Sequence, residues 1–399
     1  MSSSLFPVTL DDLFKVGYIG SIQQAIGDSF FGVNHRQIPT ALQANRERYG
    51  YTFFTRPQLN MTTPNIQGQR LFFPLLTGDV NTVQNYVRSI LDPRMALLLN
   101  PSLCDPYNPF IPVLTNNLKA ISGWDDYIAP TYTSNEGNYK ESISFVDGNI
   151  LNYQTYDIDC TFRNTRGDPI IYMIYIWLLY QSFVFEGTMS PYPDMIIENE
   201  IDYNTRIYRL VMDKSNTFVR KILATGASFP ITLPLGNFFD YTSDSPTNSE
   251  IYDFTIRFRC MGITYQDDIL IHEFNKIVEI FNPSMRPNNI ATDMIKVPKS
   301  LLVIFNNRGY PRINPATYEL EWYVSKQIYT SRTNILAVAG STDNSSQLMM
   351  QAVEAAAARV GPSPTLTPLD VSRAAGYTQS LINSQPKPVS ATQSTTTLA

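Results

Sequence analysis

The 399-residue sequence predicts an α+β fold, mainly β, with extended segments at both ends. Two stretches, Tyr153–Arg163 and Ile251–Met261, alternate apolar and polar residues with period two, as strands with one buried face do. A helix announced by Asp168-Pro169 is apolar or aromatic at every position from Ile170 to Tyr180. By contrast, 34–74 and 361–399 lack the periodicity of packed elements and are rich in Pro, Asn, Gln, Ser and Thr.

In chain order, residues 1 to about 33 hold two short helical patterns, Leu10–Lys15 and Ser21–Ile26, punctuated by glycines. The 34–74 stretch reads as an arm lying against something else, around one strand-like run, Tyr49–Thr55. A helix is expected over Thr77–Leu99, capped by Thr77 or Asp79, with Val80, Val83, Tyr86, Val87 and Ile90 on one face and an interruption at Pro93. Residues 113–150 resemble hairpin material.

The strand Tyr153–Arg163 places Tyr156, Ile158, Cys160 and Phe162 on one side and Thr155, Asp157, Asp159 and Thr161 on the other. In the following helix, Asp168 stands at the N-cap position, Pro169 at N1, and Gly187 supplies a left-handed stop. A helix with no polar face must be enclosed all round. Two packings satisfy this: a central core helix, or a layer between this chain's sheet and a neighbouring subunit. The apolar run of eleven residues falls short of the roughly 20 that span a bilayer, so no membrane insertion is expected.

Strands are then expected at Arg206–Met212 and Thr217–Leu223, with a shorter edge strand at Phe229–Leu235 between two prolines. A helix over Asp268–Phe281 has a clear apolar stripe (Leu270, Phe274, Ile277, Val278, Phe281) and a polar face. Strands at Ser300–Asn306 and Thr317–Lys326 follow, then an alanine-rich helix over Gln347–Val360 and a tail too polar to fold alone. The words Tyr-Asp-x4-Phe-Arg recur at Tyr156–Arg163 and Tyr252–Arg259, from two copies of a domain or two partner strands of one. The expected division is 1–112 as N-terminal helical segments and arm, 113–335 as a β domain with two helices, and 336–399 as C-terminal helix and tail.

Composition bounds the function. A net charge of −5 argues against a global basic field for nucleic acid. Only 16% of residues are charged, against about a quarter in an average domain, which fits a surface largely covered by partners. Cys104, Cys160 and Cys260 form no CxxC, and the last two fall on apolar strand faces, as buried free thiols in a reducing compartment would. The N-terminus lacks a basic and apolar leader, so no secretory signal is expected.

Two histidines, His35 and His272, have no ligand spacing around them, so no metal is expected. Nucleotide-binding and nucleophile-elbow motifs are absent, and no cofactor is expected. The carboxylate pairs Asp125/Asp126, Glu198/Glu200 and Asp267/Asp268 leave a carboxylate-dependent hydrolase as an alternative, although such pairs are far more often solvated turns or helix caps. No catalytic residue is assigned. Arg46, Arg48, Arg56 and Arg70 suit anchoring onto acidic or carbonyl-rich surfaces of sister proteins.

The run Tyr153–Gly187 with Ser182-Phe-Val-Phe-Glu-Gly, then Arg206–Leu223 with Gly226-Ala-Ser-Phe-Pro-Ile-Thr-Leu-Pro, then Tyr252–Cys260, resembles the tube-forming domain of contractile-tailed bacteriophages, in particular tail-tube initiator and baseplate-hub proteins. The likeness covers roughly 150–330 and rests on element order. It implies a β-sandwich or barrel with flanking helices. Copies would join into a ring, as a hexamer or a pseudo-sixfold trimer, in contact with other tail and baseplate proteins. DNA would pass through the lumen without specific binding. The implied protein is a structural virion component assembled in the host cytoplasm, not an enzyme. A neck or tail-terminator protein is the alternative within the same particle. The candidate subunit interface is Ile170, Tyr175, Trp177, Leu178 and Phe183 of the apolar helix, with Arg56 of the arm.

Overall fold

The computed structural model describes residues 50–339, excepting 78, 80, 100, 102, 149–153, 214, 240–252 and 306. The helices expected at Leu10–Lys15, Ser21–Ile26 and Gln347–Val360, the tail, and His35, Arg46 and Arg48 lie outside the described residues. Two compact units emerge. The first holds the described residues up to Asn282 and returns for Ile313–Leu320. The second holds Pro283–Arg312 and the described residues from Glu321 onward.

The first unit begins with β1 (Thr52–Phe54) and the short helices α1 (Thr63–Ile66), α2 (Pro74–Thr77), α3 (Val83–Leu91), α4 (Pro93–Leu99) and α5 (Pro112–Asn117). Next come β2 (Leu118–Ser122), β3 (Thr131–Thr133), β4 (Ser144–Val146), β5 (Thr155–Arg163) and the long helix α6 (Pro169–Phe185). Then follow α7 (Pro193–Glu198), β6 (Ile207–Met212), β7 (Val219–Pro230), α8 (Leu235–Phe239), β8 (Asp253–Tyr265) and α9 (Ile269–Phe281). The fold mixes α and β around a curled antiparallel half-barrel of six strands, ordered β1-β6-β7-β8-β5-β2. Register is set by burial: Ile158 faces Phe258 and Cys160 faces Ile256 across β5 and β8, so a one-residue slip would turn the whole apolar set to water. The two strands with the shared Tyr-Asp-x4-Phe-Arg words are thus antiparallel neighbours in one sheet.

One sheet face carries the core. Ile158, Cys160 and Phe162 of β5 and Phe254, Ile256, Phe258 and Cys260 of β8 are buried in one cluster with Ile170, Met173, Ile174, Ile176, Trp177 and Tyr180 of α6. At about 1.5–3 kcal/mol per fully buried large side chain, those six α6 residues contribute on the order of 10–15 kcal/mol. Residues 50–77 belong to this core and not to a detached arm: Phe54, Leu59, Met61, Ile66, Phe72 and Leu75 join the same cluster, and Phe54 lies 6.0 Å from Phe162 and 5.8 Å from Phe258. On the other face, towards the β1–β6 end, Phe274 of α9 packs against Phe53 and Tyr208.

Local chemistry moved several boundaries. The helix expected from Thr77 breaks into α2, α3 and α4. Thr82, whose side chain accepts from the Asn85 amide, caps α3, and Asp92 receives the amides of Arg94 and Met95 at the start of α4. The edge strand expected at Phe229–Leu235 does not form. Its first residues end the twelve-residue β7, with Pro230 opposite Phe258 and the next amide, that of Ile231, donating to the Arg257 carbonyl at 2.9 Å. Gly226 in β7 lies so close to β8 that a Cβ would meet the Met261 carbonyl oxygen at 2.5 Å. Asp168 precedes α6 in the left-handed conformation (φ 47°) with no side-chain cap bond, its carboxylate instead accepting from Asn164 Nδ2 at 2.8 Å.

The second unit contains a 3₁₀ turn (Pro283–Met285), α10 (Ile290–Asp293), β9 (Met294–Val297), a longer 3₁₀ segment (Lys299–Phe305), β10 (Tyr310–Ile313), β11 (Leu320–Ser325) and α11 (Lys326–Ala339). Its sheet runs β10-β11-β9, with Trp322 opposite Val297. Ile295, Val297, Leu302, Phe305, Val324 and Tyr329 form its core, and the Phe305 and Tyr329 rings stack at 5.4 Å. The strand expected at Ser300–Asn306 is the 3₁₀ segment instead: an apolar run this short does not fix its own period.

Candidate assembly surfaces

Helix α6 is asymmetric in burial although uniform in sequence. Ile170 and Trp177 are wholly enclosed by this chain, and Trp177 Nε1 donates to the Tyr203 carbonyl at 3.0 Å. Tyr175, Leu178 and Phe183 are half-buried, together with Ile171, Tyr172, Leu179 and Val184. Phe185 closes the helix 92% exposed. The first turns border a cleft of about 530 Å³ lined by Ile171, Tyr172, Tyr175, Val83, Leu235 and Phe239 among others. Of the five helix residues expected at a subunit interface, only Tyr175, Leu178 and Phe183 therefore retain outward surface.

Arg56 is buried, at 3% exposure. Its guanidinium donates to the carbonyls of Ile90 (3.0 Å), Asp105 (3.4 Å), Pro106 (3.2 Å) and Asn108 (3.2 Å), and to that of Ser89. The carbonyl-rich anchorage expected of Arg56 exists, but the carbonyls are its own chain's. Burial lowers its pKa, with Cys104, Tyr86, Asp105 and Asp92 acting in the opposite sense. Nearby, Asp92 accepts from the Met61 amide at 3.0 Å and the Tyr192 hydroxyl at 2.7 Å, and Tyr180 donates to Asp202. Desolvation pushes both carboxyls above the usual range despite these hydrogen bonds. The cluster ties α6 to residues 60–92 and 192–202.

The second face of β5 and β8 is a ladder of charges. Arg257 Nε donates to Asp159 at 2.8 Å, Arg259 pairs with Asp157 directly opposite it, and Thr161 and Thr255 touch at 3.0 Å. Lys119 of β2 pairs with Asp253.

The two edges of the six-stranded sheet differ. The outer side of β1 is closed by the chain itself: the Ile111 amide donates to the Phe54 carbonyl and the Arg56 amide to the Pro109 carbonyl, both at 2.9 Å. At the other end, β2 pairs with β5 alone among the described residues. Between β2 and β5 the hairpin β3–β4 stands apart as its own two-stranded sheet, every one of its six strand residues exposed. Its neighbours Ile128, Tyr139 and Ile143 are exposed too. These residues and Phe185 were absent from the expected interface. The available signal was apolar alternation over 131–133 and 143–146 inside an acidic stretch that offers nothing to bury it.

A family profile described as "Putative phage tail tube protein" matches residues 10–340. The chain belongs to this tail tube family. Among solved structures, the cryo-EM structure of the anti-feeding prophage cap (AFP tube terminating cap) is similar over 40% of this chain and 82% of that one, at 15% identity and a TM-score of 0.25. No curated protein matches. Family membership makes the protein a phage tail structural component. The carboxylate pairs sit in local structural roles where these are visible: Asp267 accepts the Ile269 amide and Asp268 the Tyr318 hydroxyl. Among the described residues no cluster of His, Cys, Asp or Glu could hold a metal, and no helix is long and apolar enough to cross a membrane.

Proposed function

We propose that this tail tube family member is a non-enzymatic ring subunit at or near the baseplate–tube junction, assembling as a hexamer or a pseudo-sixfold trimer. The observation that carries this reading is the outward face of α6. A seventeen-residue helix without a polar side leaves Tyr175, Leu178, Phe183 and Phe185 only partly covered, and apolar area of that kind is what subunit association removes from water. The half-barrel unit, with residues 50–112 in its core, builds the ring, while the segments before residue 50 and after residue 339 contribute contacts to neighbouring tail and baseplate proteins. The charge-paired face of β5 and β8 lines the lumen. Each carboxylate there already neutralises an arginine, so passing DNA meets a hydrated wall without a net cationic patch. Subunits assemble in the host cytoplasm before joining the particle.

Sedimentation of the purified chain and electron microscopy of its assemblies test the reading. A closed ring with six or three copies is expected. Phe185→Ser leaves the melting temperature of the dilute protein within about 1–2 °C, because an exposed side chain contributes within about 0.5 kcal/mol to folding, and weakens association by at least tenfold. Label on intact particles found at the head–tail junction instead of the baseplate would place the protein in the neck. A chain that stays monomeric at high concentration would end the ring proposal.

A further inference from the structure

We propose that the second unit is a nucleic-acid contact module, which holds the phosphate backbone of duplex DNA through an arginine-rich surface without regard to base sequence. The inference goes beyond the ring reading and does not need it. Charge is divided unevenly between the two units. Residues 283–312 and 321–339 carry seven lysines and arginines against two carboxylates, a net charge of +5, and residues 340–399 carry three charges of each sign. The first unit therefore stands at −10, and it conceals this basic module in the chain total of −5. A local excess of that size on so few residues is the electrostatic footprint of a polyanion contact.

Little of this positive charge is compensated within the unit. Glu321 accepts from Lys296 Nζ at 3.0 Å and from the Tyr323 hydroxyl at 2.7 Å, and Lys326 donates to the Ala291 carbonyl at 2.9 Å. Arg286 and Arg308 are exposed and Arg312 is half-buried, and none of the three pairs with a carboxylate among the described residues. The backbone beneath Arg308 is fixed. The Asn307 amide donates to the Leu302 carbonyl at 2.8 Å and the Arg308 amide to the Phe305 carbonyl at 3.1 Å. Gly309 lies so close to the core that a Cβ would meet Leu302 Cδ2 at 2.7 Å. The turn thus presents a guanidinium to water from a position already set by packing.

The rest of the surface decides between polyanions. Protein partners are held by apolar and aromatic anchors at the centre of the contact. The first unit exposes such residues, among them Leu98, Ile143, Phe185 and Ile197. Among the described residues of the second unit no large apolar side chain is exposed, and its cations are accompanied instead by the exposed amides Asn288 and Asn307. A surface of guanidinium and amide groups without anchors suits phosphate oxygens, which accept from both, better than it suits an acidic protein. Duplex DNA is the polyanion that the tail reading sends past the subunit.

Fluorescence anisotropy of the full-length chain with two labelled duplexes of unrelated sequence tests this. Both should bind alike at 50 mM salt. With phosphate contacts from Arg286, Arg308 and Arg312, affinity should fall roughly 40-fold between 50 and 200 mM. Arg286→Gln with Arg308→Gln should weaken binding at least tenfold at 50 mM and reduce the salt slope by about 2, at an unchanged melting temperature. Arg286→Lys with Arg308→Lys should retain most of the binding, which decides the matter should the Gln variant fail to fold. Arg163→Gln with Arg166→Gln, which removes two exposed cations of the first unit, should change nothing. No binding at 50 mM, or binding that survives in the folded Gln variant, would overturn the proposal. So would equal loss in the Arg163/Arg166 variant, and so would polyglutamate competing as well as unlabelled duplex, which would make the partner an acidic protein surface. A chain that binds DNA as a monomer ends the ring reading and leaves this one standing.

Discussion

Replacing Arg56 separates an internal role from an interfacial one. Arg56→Met preserves the length of the stem and removes a planar fork that serves five carbonyls, those of Ser89, Ile90, Asp105, Pro106 and Asn108. A hydrogen bond from a charged donor contributes roughly 1.5–3 kcal/mol, and a carbonyl left dry costs about 1–3 kcal/mol. The five do not add, because the variant no longer desolvates a buried cation and water can enter beside Asp105–Asn108, where the contacts are only partly buried. The expected loss is about 4 kcal/mol, at the upper end for single substitutions. Arg56→Lys recovers only part of it, since three donors on one nitrogen cannot span the same arc. Urea titration of the dilute protein, followed by circular dichroism, measures both. If Arg56→Met costs under 1 kcal/mol yet abolishes association, the carbonyl cage is not what holds this guanidinium and Arg56 acts between subunits.

Three further outcomes follow from the same geometry. Trp177→Asp places a carboxylate in the buried apolar cluster shared by α6, β5 and β8, so the dilute monomer should lose its cooperative melting transition, a loss above about 4 kcal/mol; a normally folding variant defective only in assembly would return Trp177 to the interface. Asp202→Asn keeps an acceptor for Tyr180 and removes a carboxyl whose pKa is raised in the fold, so protonation of Asp202 favours the native state. Wild type should gain stability relative to the variant as pH falls from 7 through that raised value towards the ordinary 3.8, and lose the gain as pH rises; equal urea midpoints at pH 7 and 4.5 would refute this. Asp157→Asn with Asp159→Asn costs little stability, about 1 kcal/mol or less per exposed pair, but frees Arg257 and Arg259. Binding to duplex DNA at 50 mM salt should rise several-fold and vanish by 200 mM; unchanged binding in fluorescence anisotropy would show that the pairs mask nothing.

What the sequence disclosed follows the range of the interactions involved. Strands β5, β6 and β8 and helix α9 were readable because each carries its own period over six or more residues, and burial on one face enforces that period, whereas α6 was readable from the Asp168-Pro169 start and an apolar run too long for a strand. The strand-like run at Tyr49–Thr55 was visible too, but not its place in the sheet: β1 pairs with β6 across some 150 residues, and local pattern holds no trace of that partner. Arg56 looked like a surface residue for the same reason. A cation beside Pro, Gln and Asn has no local compensation, and its carbonyl cage exists only once residues 89–90 and 105–108 converge on it. The 3₁₀ segment Lys299–Phe305 misled differently, since Leu301–Phe305 is apolar throughout and periodicity is silent there.

The contrast between the two long helices of the first unit bears on how the chain is completed. Helix α9 packs Phe274 against Phe53, Phe110 and Tyr208, pairs Glu273 with Arg206 at 2.8 Å and exposes His272 and Lys276, with only Ile269 and Ile280 as large apolar residues reaching water near its two ends. Helix α6 buries a comparable inner stripe but offers water Tyr175, Leu178 and Phe185. Stability of the monomer does not require this, because the inner stripe already satisfies the sheet, and a Glu or Lys at an outward position would improve solubility. Apolar residues at positions where folding is indifferent point to a requirement that arises after folding. The hairpin β3–β4 presents the same pattern in a different element: aromatic and β-branched side chains on strands that no layer covers. Helix α6 and the hairpin, two separate elements of one unit, both leave apolar side chains uncovered, which is what the subunit association proposed above would remove from water.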